Sequence, residues 1–408
     1  MGLSSDSELV HQISPTRIPA LFPRSYEGSR ARFRRNLDKV RQFWPHARLR
    51  SYRLEGDEEL TIDWIESPAR RRKDRLLVMS LGEHGIEAYV GAAILQVLLD
   101  EFMPRLQPER TGLLLVHAIN PWGMKYWRRV NQANVDLNRN FIWLPGSSGK
   151  TQAWPGQKSA GSFNPDYALL SGFLNPAKEL SSRLEGNARF LQGLVRALAV
   201  LGARRLADAA LQGQYHDPRG IYFGGTSHQQ ETRLLMDLFR EHFDLYGQIL
   251  HMDLHTGYGP RYQMSLVNSP LDPRPPEWFM QHMDYPLVVR SGSSEFYQIQ
   301  GDMIDYVYQL VQEEYPDKGL YATTFEFGTL GSSLWARLRS LRATIFENQV
   351  HHYGAFHPRV REFAAREYRE LFFPQEARWQ AKAVADARRA IQGILQAEGF
   401  FISREAPG

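Results

Sequence analysis

The segment LLVMSLGEHGIE, residues 76–87, decides the fold of this chain. Its first half, residues 76–81, is a continuous apolar run of the kind that forms a buried strand. Its second half places His84 and Glu87 three residues apart at a turn. Residues 86–102 then continue with the period and length of a helix. The segment therefore predicts a strand, a polar turn and a helix in immediate succession.

A second apolar run, residues 113–119, follows the predicted helix. Unbroken apolar strands separated by a helix favour a parallel sheet that is covered on both faces. Further strands are predicted at 59–66, 249–254, 263–267 and 322–327, and further helices at 343–353, 358–371 and 376–397. We therefore expect an α/β fold: a single three-layer domain with a mixed, mostly parallel central sheet and helices on both faces.

The domain organisation follows from where the alternation of predicted strands and helices begins and where it is interrupted. We expect an N-terminal lead-in at 1–24, a catalytic domain at 25–375 and a C-terminal helix at 376–408. Residues 142–225 interrupt the alternation of strands and helices: the part up to Tyr167 is rich in Gly, Ser, Pro and Lys, and the rest has helical period. We interpret residues 142–225 as an excursion from one domain.

Composition bounds the class of protein. With 408 residues, 43% hydrophobic and 23% charged, the chain matches an ordinary globular protein, and a net charge of +4 is small for this length. The absence of cysteine excludes disulfides and thiolate metal ligands. No signal-peptide pattern and no apolar run of about 18 residues occurs. We expect a cytoplasmic protein that binds neither nucleic acid nor membrane.

Two imidazoles and one carboxylate are placed where a metal site would form. His84 and Glu87 follow the apolar run 76–81, and His255 follows the run 249–254, so all three are expected at the carboxyl edge of the sheet. Such a ligand set suits a catalytic zinc whose fourth position is left for water. A glutamate near a helix N-terminus is also favoured by the helix dipole, so a simple helix start stays open.

Three other polar residues lie within predicted apolar strands. We interpret His117 and His251 as core histidines whose nitrogens are satisfied in the interior. Glu326 stands in the strand 322–327 between two phenylalanines. A buried carboxylate is costly unless it is paired, so both a structural salt bridge and a catalytic role remain open for Glu326.

Five motifs occur in an order that resembles the zinc carboxypeptidase superfamily. They are His84-x-x-Glu87, Asn120-Pro121-Trp122-Gly123, Val135-Asp136-Leu137-Asn138-Arg139-Asn140, His255 and Glu326. The chain is most similar to an uncharacterised bacterial subfamily, a domain-of-unknown-function group related to the carboxypeptidases and to the succinylglutamate desuccinylase and aspartoacylase branch. Residues 213–215 and 220–225 also resemble that subfamily. Trp122 departs from the superfamily, which has an acidic residue at this place in the turn.

The resemblance implies a metal centre and a base. One Zn²⁺ would be bound by His84, Glu87 and His255, and Asp136 would hold His84 by a hydrogen bond. A carboxylate in that position fixes the tautomer and orientation of the imidazole. On its sequence context alone, Asp136 is equally well explained as a turn residue. The resemblance further implies that Glu326 is the general base.

The resemblance also implies how a substrate would be held. Asn138 and Arg139 match the pair that grips a terminal carboxylate, for which a guanidinium fork is well suited. Arg129 matches the residue that polarises the scissile carbonyl, and the adjacent Arg128 is its competitor.

Two substrate-binding residues are implied near position 300. Tyr297 matches a mobile tyrosine that caps the substrate, whereas Tyr306 and Tyr308 are expected to pack on a helix. Ile304 matches a residue of the side-chain pocket and favours an apolar substrate side chain. Asp302 would instead favour a basic one, and this choice stays open.

These expectations favour a zinc-dependent hydrolase that removes a C-terminal residue from a peptide with a free carboxylate. A zinc amidase or deacylase of small N-acyl amino acids is the alternative, since the same ligands and base would serve it. A non-catalytic binding protein with the same fold is a third hypothesis. A nuclease or phosphatase is disfavoured because such enzymes usually need two metals and more carboxylates.

Overall fold

The structure is a computed structural model that describes residues 13–144, 154–155, 163–292 and 299–402. Within these residues, eight strands form one mixed sheet in the order β1-β2-β4-β3-β5-β8-β6-β7. Their bounds are β1 Arg48–Leu54, β2 Asp57–Ser67, β3 Arg75–Leu81, β4 Thr111–His117, β5 Gln248–Thr256, β6 Met264–Asn268, β7 Val288–Arg290 and β8 Gly319–Phe327. The expected α/β fold with a mixed central sheet is confirmed.

Helices cover both faces of this sheet. They are α1 Ile18–Leu21, α2 Tyr26–Arg41, α3 Ala88–Val97, α4 Pro121–Tyr126, α5 Pro165–Leu174, α6 Arg183–Gln212, α7 Gln230–Phe243, α8 Pro276–His282, α9 Met303–Glu314, α10 Leu334–Tyr353, α11 Pro358–Phe372 and α12 Ala377–Ala397. The predicted helix at 86–102 is divided into the 3₁₀ turn Gly85–Glu87, α3 and the π-helical turn Leu98–Phe102. In the described part of the chain, no helix is long and apolar enough to cross a membrane.

The middle of the sheet is parallel, as its apolar strands predict. β4, β3, β5 and β8 pair in parallel, and their residues are almost all buried because helices lie on both sides. The register aligns Ser80 with Asp253 and His255 with Glu326. Parallel strands end at one edge, so the residues that follow β3, β5 and β8 are brought together there.

The two strands that the sequence did not reveal lie at the edges of the sheet. β1 has the sequence RLRSYRL and β7 is three residues long. Both edges of the sheet are formed by these strands, which pair on one side only. An edge strand buries less surface, so its apolar pattern is weaker and charged residues are tolerated.

Residues 142–225 contain α5 and α6, which pack together and build a second apolar cluster against α10 and α11. Leu180 and Phe190 belong to this cluster, as do Phe346 and Phe363 from the later helices. Much of the predicted loop between 142 and 167 lies outside the described residues. The division into a lead-in, a catalytic domain with this excursion and a C-terminal helix stays a prediction.

Candidate functional site

The predicted metal ligands and base lie together at the carboxyl edge of the sheet. His84 follows β3, His255 is the penultimate residue of β5, and Glu326 is the penultimate residue of β8. His255 and Glu326 are partners in the parallel ladder, so both side chains are on the same face. All three residues are buried at the wall of a cleft.

His84, Glu87 and His255 direct their ligand atoms toward one point. The Nδ1 atoms of the two histidines are 3.0 Å apart. The Glu87 carboxylate lies 3.1 Å from Nδ1 of His84 through Oε1 and 3.3 Å from Nδ1 of His255 through Oε2. All of the contributed ligand atoms lie within 4.8 Å of one another. This is the nitrogen and oxygen donor set that a zinc ion accepts.

Carboxylates behind the histidines set their tautomers. Nε2 of His84 is 3.0 Å from Oδ1 of Asp136, and Nε2 of His255 contacts Asp253 and lies 3.2 Å from Oε2 of Glu83. A neutral imidazole that donates from Nε2 has its lone pair on Nδ1. Both lone pairs therefore face the same point beside a carboxylate, and this arrangement fits a bound cation.

The charges around this point are unbalanced in a way that also fits a cation. Burial acts to raise the pKa of Glu87, but the two histidines hold that pKa far below its ordinary value. Burial acts to lower the pKa of His255, but Asp253, Glu83 and Glu87 raise it well above its ordinary value. Arg129 forms salt bridges with two of the carboxylates here, Glu87 and Asp136, and the raised pKa of His255 shows that the remaining carboxylates favour further positive charge at this point.

Gly85 is required by a close approach between two backbone segments. A Cβ atom at this position would lie 2.2 Å from the carbonyl carbon of Gly123 in α4. The amide of Gly85 donates to the carbonyl of Arg129 at 3.1 Å, and the amide of Ile86 donates to that of Arg128 at 2.9 Å. These contacts fix the turn that carries His84 against the loop that carries the arginines.

The two neighbouring arginines have different surroundings. Arg128 is buried and donates to both oxygens of Glu347, from Nε at 2.8 Å and from NH2 at 3.2 Å. Arg129 lines the cleft and donates to Glu87 at 3.2 Å and to Asp136 at 3.0 Å. Only Arg129 is therefore placed beside the candidate metal ligands.

Asn138 and Arg139 are separated by their surroundings. Asn138 lines the cleft, and its Oδ1 accepts a hydrogen bond from the amide of Met303 at 3.0 Å. Arg139 is 1% exposed and donates to the carbonyls of Asn138 at 2.9 Å and Leu211 at 2.7 Å. The guanidinium expected to grip a substrate carboxylate is thus engaged with the C-terminal end of α6.

Glu326 is not part of a salt bridge with a lysine or arginine among the described residues. Its Oε1 accepts a hydrogen bond from the amide of Tyr258 at 2.9 Å. Burial, together with the negative charge of Glu87, raises the pKa of Glu326 to about 7. The neighbouring Phe325 and Phe327 are buried in the core, as their alternation on the strand predicts.

The cleft has a cavity volume of about 80 Å³. Ile304, Asp302 and Asp305 lie in its wall, so both an apolar side chain and carboxylates are available to a substrate. Leu211 and Tyr222, from the excursion at 142–225, also line it. Tyr297 lies outside the described residues, and its expected capping role stays a prediction.

The histidines interpreted as core residues are buried, but only one nitrogen of each is satisfied. His117 hydrogen-bonds to Ser29 at 2.8 Å and His251 to Ser80 at 2.7 Å, whereas Nδ1 of each ring is buried without a hydrogen-bond partner among the described residues, so the expectation of satisfied nitrogens was wrong for Nδ1. Burial lowers the pKa of the two imidazoles, to about 3 and about 4 respectively. Tyr306 and Tyr308 are buried on α9. Asp253, Glu83, Leu211 and Tyr222 were not predicted as site residues.

Comparison with known proteins places the chain in a family. A family model described as a protein of unknown function, DUF2817, matches residues 22–386. No curated protein sequence matches. Among solved structures, carboxypeptidase A from Helicoverpa armigera is 12% identical, with 85% of this chain and 73% of that chain covered and a TM-score of 0.42.

Two further solved structures are similar at the same level. Bovine thrombin-activatable fibrinolysis inhibitor, in complex with a tick carboxypeptidase inhibitor, is 13% identical over 80% of this chain and 95% of that chain, with a TM-score of 0.39. Succinylglutamate desuccinylase from Chromobacterium violaceum is 14% identical over 75% and 72%, with a TM-score of 0.33. The expected membership of a domain-of-unknown-function group is confirmed by the family model, which spans most of the chain. This protein therefore belongs to the DUF2817 family.

Proposed function

We propose that this protein is a zinc-dependent hydrolase that cleaves the C-terminal peptide bond of its substrate. The observation that carries the proposal is the convergence of two histidine Nδ1 atoms and the Glu87 carboxylate at one point in a cleft that Glu326 also lines. Carboxylates set the tautomer of each histidine, and Arg129 lies beside the same point. This combination would supply metal ligands, a general base and a hydrogen-bond donor for the substrate's carbonyl oxygen in one cleft.

The residues have separate roles in this proposal. A zinc ion held by His84, Glu87 and His255 would polarise the scissile carbonyl and lower the pKa of a water molecule. Glu326 would accept a proton from the attacking water and pass it to the leaving nitrogen. Arg129 would donate hydrogen bonds to the carbonyl oxygen as negative charge develops on it.

The substrate's terminal carboxylate would be bound near Asn138 and Arg139. Asn138 already lines the cleft, whereas the Arg139 guanidinium is bonded to the carbonyl of Leu211. Binding of a carboxylate by Arg139 would therefore require this hydrogen bond to be exchanged for one to the substrate. A carboxylate carries a full negative charge, so its hydrogen bond to the guanidinium is stronger than the one from the guanidinium to the neutral carbonyl of Leu211.

The direct test is mass spectrometry of a mixed peptide pool after incubation with zinc-loaded protein. The wild type is expected to remove single C-terminal residues, and Glu326→Gln, which keeps the shape of the side chain, is expected to leave the pool unchanged. Peptides with an amidated C-terminus are expected to resist cleavage. Equal turnover of free and amidated peptides would refute a carboxypeptidase activity.

The remaining outcomes separate the other hypotheses. Turnover of N-acyl amino acids without turnover of peptides would assign the protein to the amidases and deacylases. If protein purified without chelators contains no metal and does not bind added zinc, the proposed hydrolysis is ruled out and a binding function remains.

A further inference from the structure

Tyr222 has an unusual backbone conformation for a large residue. Its φ is 53°, in the left-handed region that favours glycine. Strained residues of this kind persist when the surrounding structure holds them in place, and they are concentrated at functional sites. Tyr222 also lines the cleft, although it belongs to the excursion at 142–225 and is distant in sequence from every predicted site residue. The strained backbone and the position in the wall of the cleft make Tyr222 a candidate functional residue.

The backbone on either side of Tyr222 is held firmly. The amide of Gln214 donates to the carbonyl of Tyr222 at 3.1 Å, and the amide of Asp136 donates to the carbonyl of Phe223 at 2.7 Å. Phe223 also forms bridges with Val135 and Gln214. The segment that carries Tyr222 is therefore attached directly to the loop that carries Asp136.

The side chain of Tyr222 packs on the Arg129 guanidinium. The Cζ atom of Arg129 lies 5.5 Å from the centre of the Tyr222 ring and 5.9 Å from the centre of the Phe372 ring. Glu87 and Asp136 hold the same guanidinium by hydrogen bonds. Arg129 is thus fixed by two carboxylates and two aromatic rings, and all of these groups except the carboxylates line the cleft.

A second guanidinium lies near the same ring. The Cζ atom of Arg139 is 5.7 Å from the centre of the Tyr222 ring. An aromatic face attracts a cation by about 0.5–2 kcal/mol. The Tyr222 ring contacts two guanidinium groups, so it offsets part of the electrostatic repulsion between them. An aliphatic side chain in its place would remove this attraction from both arginines.

We propose that Tyr222 is a positioning residue that holds the Arg129 guanidinium in the cleft for hydrolysis. The effect of Tyr222 on kcat rests on the proposed function. Its effect on the position of the Arg129 guanidinium does not. The proposal assigns the excursion at 142–225 a part in the chemistry, since the excursion supplies the ring. The aromatic face is the essential feature, and the hydroxyl is not.

The test compares Tyr222→Phe, which keeps the ring, with Tyr222→Leu, which removes it. Tyr222→Leu is expected to lower kcat by about two- to thirtyfold with KM within about twofold of the wild type, the range that corresponds to a lost cation–π contact. Tyr222→Phe is expected to retain wild-type kcat. Equal losses in both variants, or a loss confined to KM, would overturn the proposal.

A double-mutant comparison distinguishes positioning from general damage. In an Arg129→Lys background, Tyr222→Leu is expected to lower kcat by less than about twofold, because its effect is exerted through Arg129. Independent, multiplicative losses would show that Tyr222 acts by another route.

A crystal structure of Tyr222→Leu gives a readout that needs no substrate. The Arg129 guanidinium is expected to leave its position between Glu87 and Asp136, while zinc content stays that of the wild type. An undisturbed Arg129 would overturn the proposal even if activity falls. If the wild type hydrolyses neither peptides nor acyl amino acids, the proposed function fails, and this structural comparison still decides the role of Tyr222.

Discussion

Asp253 and His255 contact each other through their side chains from the same face of β5, two residues apart on one strand. The alternation of a strand makes this pairing possible, because residues i and i+2 point to the same side. Ser80 on β3, the ladder partner of Asp253, donates to the other carboxylate oxygen at 2.6 Å. His255 is thus oriented by the sheet itself, whereas His84 is oriented by Asp136 from a separate loop.

Asp253→Asn is expected to weaken zinc binding by about ten- to a hundredfold, because an amide supports the Nε2–H tautomer of His255 less well than a carboxylate does. The measurement is a competition titration against a chelator of known affinity. Asp317→Asn, on an exposed aspartate, is the matched control and is expected to bind zinc as the wild type does. Wild-type affinity in Asp253→Asn would contradict this role.

Arg129 and Arg128 are expected to respond oppositely to substitution by lysine. Arg129→Lys should lower kcat by about a hundredfold or more, because the hydrogen bonds that stabilise the developing oxyanion are lost. Arg128→Lys should leave kcat near that of the wild type and lower the free energy of unfolding, because the two-pronged contact with Glu347 is broken. Steady-state kinetics and denaturant unfolding of the two variants test this. A large kcat loss in Arg128→Lys alone would reverse the assignment.

The wall of the cleft is expected to select a cationic substrate side chain over an apolar one. Asp302 caps α9 by accepting from the amide of Asp305 at 2.9 Å, and Asp305 accepts from Ser269. Among the described residues, neither carboxylate is salt-bridged to a lysine or arginine. Burial raises the pKa of both carboxyls, to about 7 for Asp305, so a substrate cation is expected to favour their charged forms and to be bound by them.

The variant Asp305→Asn tests this selection, because it spares the helix cap. It should lower kcat/KM for peptides ending in lysine by about tenfold to a hundredfold and leave leucine-ending peptides unchanged. A wild-type preference for leucine would instead favour Ile304 as the determinant.

The pH dependence of activity is expected to follow Glu326. A general base must be charged, and burial together with Glu87 raises the pKa of Glu326 to about 7. A bound cation would lower the pKa of Glu326. Therefore kcat/KM should fall as the pH drops through a value at or below about 7. Glu326→Asp should keep an acid limb with reduced activity. A kcat/KM profile that shows no acid limb down to the lowest pH at which the protein stays folded and zinc-loaded would exclude Glu326 as the base.

Glu231 is expected to limit stability above neutral pH. Burial raises its pKa to about 7, and Oε2 has no hydrogen-bond partner among the residues that the structure describes. Because the folded pKa lies above the unfolded one, the stabilising contribution of protonation is complete below about pH 4.5 and is lost as the pH rises to about 7.

Glu231→Gln, which stays neutral, should therefore raise the free energy of unfolding by up to about 3 kcal/mol at pH 8 and have little effect at pH 4. Denaturant unfolding at both values measures this, with Glu313→Gln on the surface as the control. A variant less stable than the wild type at pH 8 would disprove it.

The features that sequence reasoning identified are those carried by contiguous residues. The apolar runs that became β3, β4 and β5 predicted the parallel centre of the sheet, and their ends brought His84 and His255 to one edge. Asp253 has a local signal of the same kind, since it precedes His255 by two residues on a strand and therefore lies on the same face.

Other site features depend on packing between segments that are far apart in the chain. The contact between Arg139 and the carbonyl of Leu211 requires α6 to end beside the loop that carries Arg139, and no local pattern encodes this. The requirement for glycine at position 85 also depends on distant packing, because the backbone of Gly123 occupies the space that a side chain would need.

The presence of Leu211 and Tyr222 in the wall of the cleft divides its lining between two parts of the chain. The proposed metal ligands and Glu326 lie at or just after the ends of strands, whereas Leu211 and Tyr222 come from residues 142–225. Changes in the length or sequence of residues 142–225 would therefore reshape the wall of the cleft while the proposed reacting groups stay in place.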